Sequence, residues 1–334
     1  MAKKNERTIL FLDLHINTKT TSPKINGLTN KFTLTEIFKK IEAIREANNV
    51  NMVRGSGDNK TEVYLADIEQ DIANNCWKLL INVTDTTLAD EVHRKIGGTD
   101  DTRKVNAKQN GVGTDFSSHI IIKSDPEGNG SWIVLYEQSP ALSVKLVSSY
   151  LNEIFKRIAK ANKDDFETEH PKNIVDTKGV VKKINTYCHC HFNGHISKQF
   201  EDDLNGGSLK SLTLITGKID SVVGYDAQKH TSVKEVQLPI KIDKDEILKA
   251  GGNYKLIDRF RNNDAKAMNM ESIKVSFKDD GDVSHTAEID TTTGQLINSE
   301  KYVKKVKIIG FADILTTSVN LIYKPIITKM LEHI

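Results

Sequence analysis

A chain of 334 residues with 38% hydrophobic and 28% charged residues has enough apolar surface for two domains of ordinary size, and its balance excludes a disordered or membrane-embedded class. Forty-seven Lys and Arg against 45 Asp and Glu leave a net charge of only +2, so no whole-molecule basic field attracts nucleic acid and any such partner must be held by local patches. Three cysteines, an odd count, fit reduced thiols in a cytoplasmic protein; no apolar run reaches the length of a bilayer span, and Met1 to Arg7 lacks the apolar core of a signal peptide.

The first strand is expected over Thr8 to Ile16, where the run Ile9-Leu10-Phe11-Leu12 predicts burial on both faces. After a polar loop, Thr33-Leu34-Thr35-Glu36 is a capping box: Thr33 caps a helix and Glu36 reaches back. Leu34, Ile37, Phe38, Ile41 and Ile44 recur at helical spacing as its core stripe. Strands follow near Lys60–Ile68 and Cys76–Thr84, then a long polar, glycine-bearing loop from Thr87 to Asp115. Ser117–Lys123 and Trp132–Glu137 flank a Pro/Gly/Asn turn and read as a hairpin. Ser139-Pro140 offers an N-cap and a first-turn proline to a helix reaching Asn162, whose apolar positions from Leu142 to Ile158 keep the helical period.

Asp164 to Lys183 is polar, carries Pro171 and reads as a linker, which gives domains 1–165 and 186–334 with 166–185 between them. Beyond it strands dominate: one through the Cys/His run, then Ser211–Ile219, Ser232–Ile242, Ser272–Lys278 and Val283–Asp290, the last two joined by the turn Asp279-Asp280-Gly281-Asp282. Lys301–Gly310 is a further expected strand, and Ala312–Glu332 an expected helix that Pro325 kinks or breaks. The fold class is α+β, with two domains of mainly antiparallel sheets and packed helices.

Within Tyr187-Cys188-His189-Cys190-His191-Phe192-Asn193-Gly194-His195, two of three cysteines and three of ten histidines fall in eight residues. Zinc takes such ligands. On an extended strand, however, Cys188 and Cys190 project one way and His189 and His191 the other, and four ligands cannot close on one ion from both faces. A buried strand with small apolar cysteines is therefore expected, the alternative being a two-ligand site on one face helped by His195. Walker A, Rossmann, HExxH and nucleophile-elbow motifs are absent, Gly111-Val112-Gly113 reads as a loop hinge, and the Asp279–Asp282 cluster lacks calcium-loop spacing. Asp13 and His15 share one strand face and Asp67 and Glu69 lie on another strand; a metal-dependent nuclease could draw on them, but nothing compels catalysis, and neither cofactor nor metal is assigned.

Basic clusters carry more. Lys156, Lys160 and Lys163 line one helix face with Arg157 beside them, a row that suits phosphate oxygens and equally suits a helix C-terminus. In Lys301-Tyr302-Val303-Lys304-Lys305-Val306-Lys307, Lys301, Val303, Lys305 and Lys307 share one strand face, and Tyr302, Lys304 and Val306 the other, as on a sheet-borne DNA surface or a protected edge. Arg259 and Arg261 flank Phe260, and Arg94-Lys95 and Arg103-Lys104 sit in the glycine-bearing loop.

Three segments together resemble the RexA-like phage exclusion proteins: Gly113 through Ile154, the His-x-His-Phe-x-Gly pattern of His189, His191, Phe192 and Gly194 with the strand Val233–Ile242 after it, and the basic and apolar alternation of Tyr323–Leu331. The resemblance covers roughly residues 110–334. It implies a homodimeric, non-catalytic α+β protein of prophage origin that binds double-stranded DNA without sequence specificity, related in fold to the recombination-associated RdgC proteins. The implied role is phage exclusion or antiphage defence, with a neighbouring defence-system protein as a further partner and no insertion into membranes. Cysteines stand where that family has methionines beside the matched histidines, which leaves the metal reading open. A nuclease effector and a non-enzymatic sensor of a phage or partner protein are the alternatives.

Overall fold

The computed structural model describes residues 4–20, 25, 28, 31–47, 50–93, 95–96, 104–128, 130–175, 177, 179–217, 235–241, 244–297 and 301–334. They fall into two compact units: Met1–Ile9, Leu14–His191 and Val306–Ile334 form the first, and Leu10–Asp13 with Phe192–Lys305 the second. Both are α+β with antiparallel sheets, as the sequence implies.

The first unit contains, in chain order, β1 (Glu6–Thr20), α1 (Leu34–Glu46), β2 (Met52–Ser56), β3 (Asn59–Asp71), β4 (Cys76–Asp85), the small hairpin β5 (Glu91–His93) and β6 (Lys104–Asn106), β7 (Thr114–Lys123), β8 (Trp132–Glu137), α2 (Val144–Ala161), β9 (Glu167–Glu169) and β10 (Lys183–Gly194). Its main sheet runs β10-β1-β8-β7-β4-β3-β2, and β4 is central enough to be buried from Cys76 through Val83. The capping box of α1 forms as read: Glu36 N–H donates to Thr33 Oγ1 at 3.2 Å and Thr33 N–H to Glu36 Oε2 at 2.7 Å. The five expected stripe residues of α1 are buried, and Phe38 meets Trp77 of β4 with ring centroids 5.5 Å apart. Truncating a ring so enclosed costs about 3–5 kcal/mol, so Phe38→Ala would break this packing.

Three expectations are corrected here. Helix α2 starts at Val144, capped by Ser143 Oγ, not at Ser139-Pro140. Leu142 is buried instead and its carbonyl accepts the Tyr136 hydroxyl at 2.6 Å, which keeps the preceding residues out of the helix. The supposed linker is part of the first unit: Phe166 is buried against Phe32, and β9 pairs with β10 from Lys183 to Asn185. The passage between units falls inside β1, inside β10 and at Lys305–Val306, not at 166–185, because strands serve both units and the C-terminus returns to the first. The loop over Thr87–Asp115 carries the β5/β6 hairpin, with Arg94 and Arg103 outside the described residues.

The second unit holds α3 (Lys198–Gly206), β11 (Ser208–Thr216), β12 (Val236–Ile240), α4 (Lys244–Ala250), α5 (Asn253–Phe260), a π-turn over Arg261–Ala265, β13 (Ser272–Lys278), β14 (Ser284–Asp290) and β15 (Leu296–Ile297). The order is β12-β11-β13-β14-β15, with the end of β10 pairing β15 through Gly194 and Leu296. Phe200 of α3, Phe277, Tyr302 and His285 stack into its aromatic core. The expected strands Ser211–Ile219 and Ser232–Ile242 are β11 and β12 where they are described, over 211–217 and 235–241; residues 218–234 lie outside the described residues.

The last elements are β16 (Lys305–Ile309), which pairs with β1, and α6 (Lys324–Leu331). The expected strand from Lys301 is shorter because Tyr302 and Val303 are both buried, one in the aromatic core and one against Gly194, so alternation fails there. A Cβ on Gly194 would lie 2.2 Å from Val303 Cγ2, which fixes glycine at that contact. The expected helix from Ala312 reduces to α6 with Pro325 in its first turn. Residues 315–323 stay out of a helix because β7 and the N-terminal residues satisfy their backbone: Leu315 N–H donates to the Lys4 carbonyl at 2.8 Å, Ser117 N–H to the Thr317 carbonyl at 3.0 Å, and Val319 N–H to Ser117 Oγ at 2.9 Å.

Candidate nucleic-acid interface

Within the first unit a groove of about 650 Å³ opens between α2, the edge strand β2 and the ends of β1 and β10. Helix α2 presents Ser149, Asn152, Glu153, Lys156 and Arg157 to it, because its other side carries the buried stripe from Val147 to Ile158. Strand β2 supplies Arg54, β1 supplies Lys19, and β10 supplies Tyr187 and His189 from its non-cysteine face. Four cations therefore face one carboxylate. Glu153 belongs to Arg157, 3.5 Å away, and Arg157 also donates to the Asn51 carbonyl at 2.8 Å. Arg54 donates to Ser149 Oγ at 2.7 Å, and Lys156 Nζ stands 5.9 Å from the Tyr187 ring centre. Neither Lys19 nor Lys156 has a carboxylate partner among the described residues. Burial first, then the charges of Lys19 and Lys156, push the His189 imidazole down to about 4, and its Nδ1 is buried without a hydrogen-bond partner.

The Cys/His strand is built as alternation requires. Thr186, Cys188, Cys190 and Phe192 are buried on one face, while Tyr187, His189 and His191 are half-buried on the other. Burial pushes both thiols up to about 12, where they carry no metal-binding thiolate at neutral pH. His191 stacks on His15 with ring centroids 4.8 Å apart, and in the second unit His195 Nε2 lies 2.8 Å from Asp13 Oδ1. Gln295 donates to the other Asp13 oxygen. Among the described residues, no group of three or more His, Cys, Asp or Glu is arranged to hold a metal ion.

The carboxylates considered for a nuclease are engaged structurally. Asp67 pairs with Arg45 at 3.3 Å and accepts the Ile322 N–H at 3.1 Å; Glu69 and Asp71 both bind Lys78, at 3.2 and 2.8 Å. A further buried cluster was not singled out from the sequence. Glu137 takes the Arg7 guanidinium at 2.7 Å and His119 Nδ1 at 2.6 Å, and His119 Nε2 accepts the Tyr323 N–H at 3.0 Å. Nδ1 therefore carries the ring proton, and the cluster fastens the C-terminal segment to β7.

Of the basic residues singled out from the sequence, the groove gathers Lys156 and Arg157. Lys160 is exposed in the last turn of α2, where the helix dipole favours it, and Lys163 falls beyond the helix in a 3-10 turn, so the expected row stops at Lys160. In the second unit Arg259 pairs with Glu246 at 2.8 Å, and Arg261 is held by Asp258 and the Thr291 carbonyl, a structural placement. Lys301 meets the His285 ring nitrogen at 2.9 Å, Lys304 lies 4.2 Å from the Phe11 ring centre, and Lys305 is exposed. Lys307, in the first unit, lies 3.9 Å from Glu6. Lys19, Arg54 and Tyr187 are among the groove residues that sequence reasoning left without a role, as are Ser149, Asn152 and Glu153. The signal for Lys19 was the continuation of β1 alternation past Ile16; for Arg54 there was only the glycine-rich turn that follows β2.

No family profile, curated protein or solved structure matches the chain. No helix among the described residues is long and apolar enough to cross a membrane.

Proposed function

We propose that this protein binds the phosphate backbone of DNA through the groove between α2, β2 and β10, without catalysis and without reading sequence. The observation that supports it best is the convergence of Lys19, Arg54 and Lys156 on one groove whose one carboxylate among the described residues, Glu153, is already paired with Arg157. Cations that lack internal partners gain most from phosphates, through release of condensed counterions. Asn152 is held by the Cys190 backbone, Arg54 by Ser149, and Arg157 by Glu153 and the Asn51 carbonyl, so these side chains are not arrayed for base readout, backbone contact dominates and specificity is low. The resemblance to RexA-like proteins supports duplex DNA as the partner, a homodimer as the working form, and phage exclusion in a cytoplasmic setting.

Gel shifts on two unrelated linear duplexes, repeated from low to physiological salt, test the reading. Binding of equal strength to both, falling steeply with salt, is expected. No binding at low salt, or a strong preference for one duplex, would overturn it.

A further inference from the structure

The cations of the groove do not stand on a flat surface. Beneath Lys156 lies the half-buried ring of Tyr187, and beside it the His189 imidazole with its unpartnered buried Nδ1. An aromatic face, a polar atom awaiting a partner and surrounding positive charge are what an unpaired nucleotide needs. A duplex keeps its bases stacked inside and would offer such a floor only sugar and phosphate. The volume of about 650 Å³ lies in the range of sites that enclose a small ligand.

Resting on the phosphate-binding reading above, we infer that the groove takes single-stranded nucleic acid, one base lying against Tyr187 with its edge toward His189 and the flanking phosphates on Lys156, Lys19 and Arg54. The base enters between the ring and the Lys156 ammonium, which is exposed and free to lift, so that ring, base and cation stack in turn. The imidazole lines the groove and is neutral at pH 7, so its ring offers one donor and one acceptor, and a base edge offers both roles. Every base has a π face, so this arrangement tolerates any sequence. Strand ends, gaps and displaced single strands are the sources of such a ligand.

Fluorescence anisotropy of the full chain tests the inference, using a short oligothymidylate and a hairpin duplex with the same number of phosphates, at one salt concentration. The oligothymidylate is expected to bind more tightly. Tyr187→Ala is expected to weaken it by about tenfold while leaving the duplex unchanged, and Tyr187→Phe to restore it. Lys156→Glu is expected to weaken both. If Tyr187→Ala changes neither affinity while Lys156→Glu lowers both, the stacking inference fails and phosphate binding stands. If Lys156→Glu also changes neither, phosphate binding at this groove fails with it. A loss with Tyr187→Phe as large as with Tyr187→Ala would mean that the ring face is not the contact, and would likewise overturn the inference.

Discussion

The carboxamide of Asn152 binds both backbone groups of Cys190: its Nδ2 donates to the Cys190 carbonyl at 2.8 Å, and its Oδ1 accepts the Cys190 N–H at 2.7 Å. One side chain of α2 thus does for β10 what a neighbouring strand would do, at a point between the stretches paired by β9 and β15. Ser148 adds a second donor to the same carbonyl, at 3.2 Å. This pairing holds the helix that carries Lys156 to the strand that carries Tyr187 and His189.

Asn152→Ala should therefore destabilise the protein by about 1–3 kcal/mol, since a buried backbone pair loses its partner. Asn152→Asp, which keeps the acceptor and loses the donor, should fall between. Urea unfolding measures both. An exposed groove substitution, Lys156→Glu, should stay within about 0.5 kcal/mol of the parent, which separates the framework from the binding face.

Glu137→Gln removes a charge that buried Arg7 and His119 share. Burial alone would raise the Glu137 carboxyl, but His119 and the Arg7 guanidinium hold it below the usual carboxylate range. Neutralising the carboxylate that faces Arg7 at 2.7 Å, where the arginine is only 6% exposed, should cost about 3–5 kcal/mol. Because Arg7 also donates to the Thr316 carbonyl at 2.6 Å and His119 holds Tyr323, limited proteolysis should cut first within 311–323.

Acid stability should depend on Asp71. Hydrogen bonds from Lys78 and Asn74 bring its carboxyl down to about 2, below an unfolded value of about 3.9. The folded pKa is depressed, so the contribution is present above about pH 4 and is lost as pH falls toward 2. Asp71→Asn should lose about 1–2 kcal/mol at pH 7 and flatten the acid limb of a stability–pH curve.

His189 should report on ligand. Folding places its imidazole near 4, below an unfolded value of about 6.5, so its contribution to stability is complete above about pH 6.5 and declines as pH falls toward 4. Phosphates beside Lys19 and Lys156 offset two of the charges that hold it down. Its pKa in the complex should rise, and affinity should increase with acidity between the bound and free values. An NMR titration of the ring resonance with and without oligonucleotide reads this directly.

The three thiols should be inert in the native protein. Burial pushes Cys76 up to about 11 and Cys188 and Cys190 to about 12. Iodoacetamide at pH 8 should label them only as fast as the chain opens, with rates rising steeply in urea.

Much of this architecture was legible because short-range chemistry fixes it. Thr33 and Glu36 start α1 by themselves, and the two-residue alternation sorted Cys188 and Cys190 from His189 and His191 before any fold was known. What stayed hidden depends on distant partners. Ser139-Pro140 has the form of a helix start, yet burial of Leu142 delays α2 to Val144. Residues from Ala312 have helical composition, yet Ser117 and His119 bind them as a non-helical strap. The groove was half legible: Lys156 and Arg157 follow from helical spacing, whereas Lys19 and Arg54 reach it only through the pairing of β1 and β2 in the sheet.

Salt dependence, compared between the parent protein and the double variant Arg54→Glu/Lys156→Glu on one unrelated duplex, tests the central claim most directly. Every phosphate that the variant leaves unneutralised should reduce the steepness of log affinity against log salt by about 0.9, so the variant should bind more weakly with a slope shallower by about 2. Unchanged affinity and slope would place DNA binding elsewhere or nowhere on this protein.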